Sequence, residues 1–206
     1  MATARQAINK AKSFIGIKEG KKCDLLIIDP WNKATGCHAK STVNPWCAIF
    51  VASVLLQIKA SGYSKSSTCK NQKAYYKKKG RWRNKGERPA AGEVIFVTGH
   101  EGVVTSTSYK GTGKFTSGNC SNAVRETSFN WKKGTWGSKK VEGYGKPIYK
   151  LGGDNMPRKK KTEEVKEEKI VIQKEEKKPD YGSGWVRVNN MLQAGFTIEQ
   201  IRGEEK

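Results

Sequence analysis

Apolar residues at the start of the chain recur with a helical period. Ala4, Ala7, Ile8, Ala11, Phe14 and Ile15 fall on one side of a helix of about 3.6 residues per turn. The pattern predicts a helix over residues 2–16, which Gly16 can close. Residues 20–44 are rich in turn formers and are expected to be irregular. CAIFVASVLLQIK, residues 47–59, is apolar on nearly every side, so it predicts a central, buried helix. Residues 60–71 read as a loop and 71–79 as a short basic helix.

The period then shortens. EVIFV (93–97), GVVTST (102–107), KFTS (114–117), AVRETSF (123–129) and PIYKL (147–151) have the character of strands, with glycine-containing turns between them. Helices followed by consecutive antiparallel strands predict an α+β fold, with the N-terminal helices packed on the sheet. Near Gly152 the composition breaks. Mixed-charge, low-complexity chain over 153–181 reads as a linker. Pattern returns over 182–206, where Trp185, Val188, Met191, Leu192, Phe196, Ile198 and Ile201 suit a small helical element for targeting or oligomer formation.

Charge sharpens this division. The 206 residues carry a net charge of +21. Residues 1–153 hold 28 Lys and Arg against 8 Asp and Glu, whereas 154–206 hold 12 against 11. The first part therefore has a field that attracts polyanions, whether nucleic acid, wall polymer or anionic lipid. No apolar run is long enough to span a bilayer. The N-terminus is amphipathic and charged, without the apolar centre of a secretory signal, so synthesis in the cytoplasm is expected, with any action outside the cell following release. The five cysteines form no CxxC pair, and His38 and His100 lie far apart, so neither a structural zinc site nor any cofactor is expected.

Candidate chemistry begins at NPWCAIFV, residues 44–51. Asn44-Pro45 makes a turn, and Cys47 then stands at the first turn of the buried helix. Unpaired N–H groups and the positive end of the helix dipole lower a thiol's pKa there and can hold an oxyanion. Taken alone, the segment suits a structural buried cysteine equally well. PAAGEVIFVTGHEGVV, residues 89–104, places His100 at a strand start beside glycines, where it can be aimed into a cleft. His38, in a loop beside Cys37, is the weaker candidate base. FTSGNCSNAV, residues 115–124, brings Asn119 to the edge of the next strand pair, where its amide can orient the imidazole.

Together these segments resemble the CHAP family, the cysteine- and histidine-dependent amidohydrolases and peptidases, over roughly residues 5–150. PWCAIFV resembles the nucleophile motif and GEVIFVTGHEGVV the strand–His–strand motif. SGNCSNAVRETSF resembles the third motif and VEGYGKPIY the closing strand. The resemblance implies a papain-like fold and a catalytic domain over 1–152, with Cys47 as nucleophile and His100 as base. Where the family often has Glu two places before the Asn, this chain has Ser117, which leaves Asn119 as the orienting residue. Calcium sites in the family use clustered acids, and Asp24 and Asp29 make a weak signal for one.

The implied activity is hydrolysis of an amide bond in bacterial peptidoglycan, as a muramoyl-alanine amidase or a peptide endopeptidase, in the setting of a phage lysin. The implied partners are peptidoglycan and anionic wall polymers, and nucleic acid is not the expected one. The alternative is a basic, non-catalytic module that binds wall polymer or nucleic acid, with Tyr75, Tyr76, Trp82, Trp131 and Trp136 as stacking surfaces. A papain-like enzyme acting on proteins is a third reading.

Overall fold

The computed structural model describes residues 2–150. The expected linker over 153–181 and the C-terminal element over 182–206 lie outside the described residues. Helix α1 (Ala4–Lys12) opens on a capping box: the Thr3 side chain accepts from the Gln6 amide, and the Gln6 side chain accepts from the Thr3 amide. Helix α4 (Cys47–Gln57) is the expected apolar helix, buried from Cys47 through Leu55. Helix α5 (Cys69–Lys78) is the basic one, capped by Thr68.

The stretch expected to be irregular is largely helical. Helix α2 (Lys21–Cys23) runs through a π-helical segment (Asp24–Ile28) into α3 (Asp29–Thr35), which Gly36 ends. Cys23, Ile27, Ile28 and Trp31 are buried and recur at helical spacing. Asp24, Asp29 and Pro30 disguise this period as turn chemistry. Pro30 stands in the first turn of α3, a position where a helix needs no N–H.

The strands are β1 (Trp82–Asn84), β2 (Val94–Val97), β3 (His100–Thr107), β4 (Thr112–Ser117), β5 (Arg125–Asn130), β6 (Thr135–Trp136) and β7 (Lys139–Gly145). The expected papain-like arrangement, helices on one face of an antiparallel sheet, is corrected by their pairing. β2 through β7 close on themselves as a six-stranded antiparallel barrel, with β1 added outside on β7. Four short helical segments accompany it: α1, the Lys21–Thr35 run, α4 and α5. Closure depends on β6, which pairs with β5 on one side and with the start of β7 on the other. The rest of β7 pairs with β2. Register shifts at Phe96/Val97 and Val104/Ser106 add the coiling that brings the ends together.

Closure makes two cores from one set of strands. Val94, Phe96 and Val103 face outward and join the helices in the larger core. Ile95, Val97, Val104, Phe115, Phe129 and Tyr144 face inward and fill the barrel. An open sheet would leave this second set in water, and burying each such side chain is worth roughly 1.5–3 kcal/mol. The final strand also differs from expectation. Of the expected strand over 147–151, the described residues 147–150 contribute an isolated bridge from Ile148 to Ser61, and the ladder strand is β7. In β7 the inward residues Val141 and Tyr144 are three apart, so irregular pairing erases the period of two that marks a strand.

The barrel interior tolerates little at Gly102. A Cβ there would lie 2.6 Å from a Phe115 ring carbon and 2.7 Å from the Thr116 carbonyl oxygen. Gly102→Ala should therefore destabilise the protein by about 1–3 kcal/mol, the usual cost of overpacking a filled core. Denaturant unfolding of the full chain measures this, and an unchanged midpoint would contradict the close approach.

Candidate functional site

Cys47 is the first residue of α4, delivered by a short turn. The Asn44 side chain accepts from the Lys40 amide at 2.9 Å, and the Asn44 amide returns a bond to the Lys40 carbonyl at 2.9 Å. Pro45 and Trp46 follow, and the helix starts without a side-chain cap. Its first N–H groups therefore have no partner within the helix. The Cys47 side chain lies at the boundary between the core and a cleft of about 520 Å³. Trp31, His38, Pro45, Ile49 and Thr68 contribute to the cleft walls, and among the described residues no Lys, Arg, Asp or Glu lines it.

His100 reaches the same place from the barrel. Val97 pairs with His100 across the two-residue turn Thr98-Gly99, in which Gly99 takes a left-handed φ of +70° that glycine adopts without strain. The pairing with Val97 puts the imidazole on the inward face, at the mouth of the barrel. There the ring stacks on Trp136, with centroids 5.2 Å apart and planes 14° from parallel. His100 is nearly buried, and its Nε2 has no hydrogen-bond partner.

The Cys47 thiol is strongly acidified. Its pKa falls from the ordinary thiol value to about 4. The largest cause is a hydrogen bond from Cys69, whose Sγ lies 3.6 Å from that of Cys47. Burial opposes the shift. A hydrogen bond and charge from His100 and the Ala48 backbone N–H add to it. The Cys69 thiol moves the opposite way, upward, because it keeps the proton beside the Cys47 sulfur.

The structure thus brings Cys47 and His100 together. It does not join Asn119 to them by any hydrogen bond among the described residues. Asn119 occupies a left-handed position, φ +55°, in the turn after β4. Ser117, at the end of β4, shares the inward face with Phe115, but its hydroxyl is buried without a partner. His38 is exposed and lines the same cleft as Cys47. Asp24 has a structural task, accepting from the Ser41 amide at 2.7 Å. Among the described residues no group of three or more His, Cys, Asp or Glu is placed to share a metal ion.

Sequence reasoning missed Cys69 and Glu101. A signal existed for the first: Thr68-Cys69 places a thiol at the start of a helix, as Trp46-Cys47 does. Glu101 follows His100 in β3, so strand alternation sends its side chain to the opposite face, toward the helices. It is fully buried, and neither carboxylate oxygen has a hydrogen-bond partner. Burial, and then the charge on Cys47, push its pKa well above the usual carboxyl range. The group is therefore held neutral in the folded protein at pH values where it ionises in the unfolded chain.

That shift makes stability depend on pH. With its folded pKa raised, Glu101 is harmless below its unfolded value, about 4.3, and costs increasing stability as pH rises from there toward the folded pKa. Glu101→Gln, nearly the same shape and never charged, should be more stable than the native protein at neutral pH. The gap should close as pH falls below about 4. Thermal melts of both proteins across pH check this, and a gap that widens in acid would contradict it. Compared with protein-family models, with curated proteins and with solved structures, the chain matches none of them.

Proposed function

We propose that this chain hydrolyses an amide bond of bacterial peptidoglycan, with Cys47 as nucleophile and His100 as general acid and base. The observation that carries the reading is the Cys47 thiol. It opens a buried helix, its pKa is lowered to about 4, and it has an imidazole beside it and a cleft in front of it. Structural cysteines in apolar surroundings shift the other way, as Cys23 does, pushed up to about 11 by burial.

The chemistry follows from these positions. The Cys47 thiolate adds to the amide carbonyl carbon, and the carbonyl electrons move onto oxygen. The unpaired N–H groups at the start of α4 are the available donors to that oxyanion. His100 passes a proton to the leaving amine as the C–N bond breaks, which leaves a thioester on Cys47. It then takes a proton from water, which attacks the thioester and frees the acid and the thiolate. Trp136 holds the His100 ring by stacking, and the imidazole Nε2 has no hydrogen-bond partner among the described residues.

Charge supports the choice of substrate class. Apart from the Cys47 thiolate, no charged side chain among the described residues lines the cleft, which suits an uncharged peptide segment. The surrounding chain over 1–153 has twenty more basic than acidic residues, which suits capture of an anionic wall. Capture and cleavage thus fall to different parts of the same surface.

Cys47→Ser and His100→Ala should each fold and lose at least about a thousandfold in wall lysis, since the two groups act as a unit. His38→Ala should lyse walls within a few-fold of the native protein. Turbidity loss of isolated walls measures all three, and lysis by Cys47→Ser at the native rate would end the reading. If His38→Ala is inactive and His100→Ala is not, the base is His38. The surface charge makes a separate prediction. Binding to walls that carry teichoic acid should weaken as salt rises through about 0.1 M, where screening acts over roughly 10 Å. Turnover of small neutral muropeptides should stay nearly level. Equal sedimentation with walls lacking teichoic acid at every salt concentration would remove the targeting role.

A further inference from the structure

We infer that Cys69 is a second catalytic residue of this site: its thiol stays protonated and donates S–H to the sulfur of Cys47, holding that sulfur as the thiolate. The inference rests on the reading of Cys47 as the nucleophile and adds to it a partner that no triad pattern contains.

Geometry carries it. The two sulfurs are 3.6 Å apart, within hydrogen-bond reach for sulfur, though 22 residues separate them in the chain. Cys47 begins α4 and Cys69 begins α5, so two helix starts converge on one point. Both residues line the same cleft. Two thiolates that close would repel, so the pair retains one proton between them. The groups around the pair decide which sulfur keeps it. Cys47 has the His100 imidazole and the Ala48 N–H to favour negative charge. Cys69 has neither of these: its sulfur is the donor to Cys47, it is partly buried, and the charge on the Cys47 sulfur disfavours a second one beside it. The proton therefore stays on Cys69.

Through the reaction Cys69 keeps that proton. When the Cys47 sulfur bonds to the carbonyl carbon, its negative charge passes to the carbonyl oxygen, and the S–H bond to it weakens. When the thioester C–S bond breaks, the electron pair returns to sulfur and the hydrogen bond forms again. Cys69 thus sets how much thiolate is present before attack. A thiolate stabilised in this way is also a slightly weaker nucleophile, because nucleophilicity falls with thiol pKa. Removing the donor should slow the site in acid and leave it level, or a little faster, in alkali. A residue with a merely structural role would not tilt the pH profile in this way.

The test needs no substrate. Full-length protein is treated with iodoacetamide across a pH series, and alkylation of the Cys47 peptide is followed by mass spectrometry. Cys69→Ala and Cys69→Val remove the donor, and Cys69→Ser replaces S–H with O–H. Far-ultraviolet circular dichroism identifies which variants fold, and Val, close to Cys in size, carries the comparison should Ala fail. Without the donor, the midpoint of the pH profile should rise by at least about one unit, which is about tenfold slower alkylation on its acid limb. Alkylation above the thiol pKa should change less than about twofold, and Ser should restore most of the acid-limb rate. An unshifted midpoint in Ala and Val would overturn the proposal, as would an equal shift in Ser. Walls left intact by the native protein while the midpoint still shifts would defeat the hydrolase reading alone. Lysis that depends on Cys47 with no shift would defeat the role of Cys69 alone.

Discussion

Helix α4 has no polar face, and the rest of the fold is arranged around that constraint. A helix apolar on all sides is stable only when it is enclosed. Here the enclosure comes from α1, the helical run over Lys21–Thr35, α5 and the outer surface of the barrel. The helix must nevertheless begin somewhere, and its first turn cannot satisfy its own N–H groups. Burial of the helix body and exposure of its start meet at Cys47. The same boundary that gives the thiol a dry side and a wet side also aims unpaired donors at whatever enters the cleft.

The electrostatics of the site follow from how few charges this boundary can hold. Three acids crowd it: Cys47, Cys69 and Glu101. Only one imidazole, His100, stands near enough to compensate a negative charge there. The site therefore holds one anion, and the His100 imidazole and the Ala48 N–H favour it on Cys47. Glu101 stays neutral because it is fully buried and lies close to that anion. Under the proposed function this concentrates the negative charge on the one atom that must attack, while the twenty-residue excess of basic side chains acts at a distance as a field.

Barrel closure makes His100 part of the site. The imidazole points inward at the barrel mouth and stacks on Trp136, which belongs to the two-residue strand that completes the ring. In an open sheet Trp136 would stand at a far edge, and the imidazole would lack its backing. Closure is thus a condition for the position of the base as well as for the second core.

The sequence by itself determined what depends on near neighbours. The apolar run after Asn44-Pro45 specified a buried helix with Cys47 at its start. The Val97–His100 segment specified a tight turn into a strand. Both rest on periodicity and turn chemistry that act over a few residues. Tertiary structure decided everything that depends on which distant segments meet. The helical run over Lys21–Thr35 was hidden because Asp24, Asp29 and Pro30 suit turns and helix starts alike. The closed barrel was hidden because it turns on β6, two residues long, and on β7, whose irregular pairing removes the strand period. The roles of Cys69 and Glu101 arise from proximity to Cys47 across 22 and 54 residues of chain. Asn119 was named from its place in a motif, and its backbone instead follows a left-handed turn without a hydrogen bond to His100. Local sequence sets the conformation and direction of each element. The positions of acids and bases relative to one another are set by packing, because electrostatic coupling depends on distances through space that the order of residues does not contain.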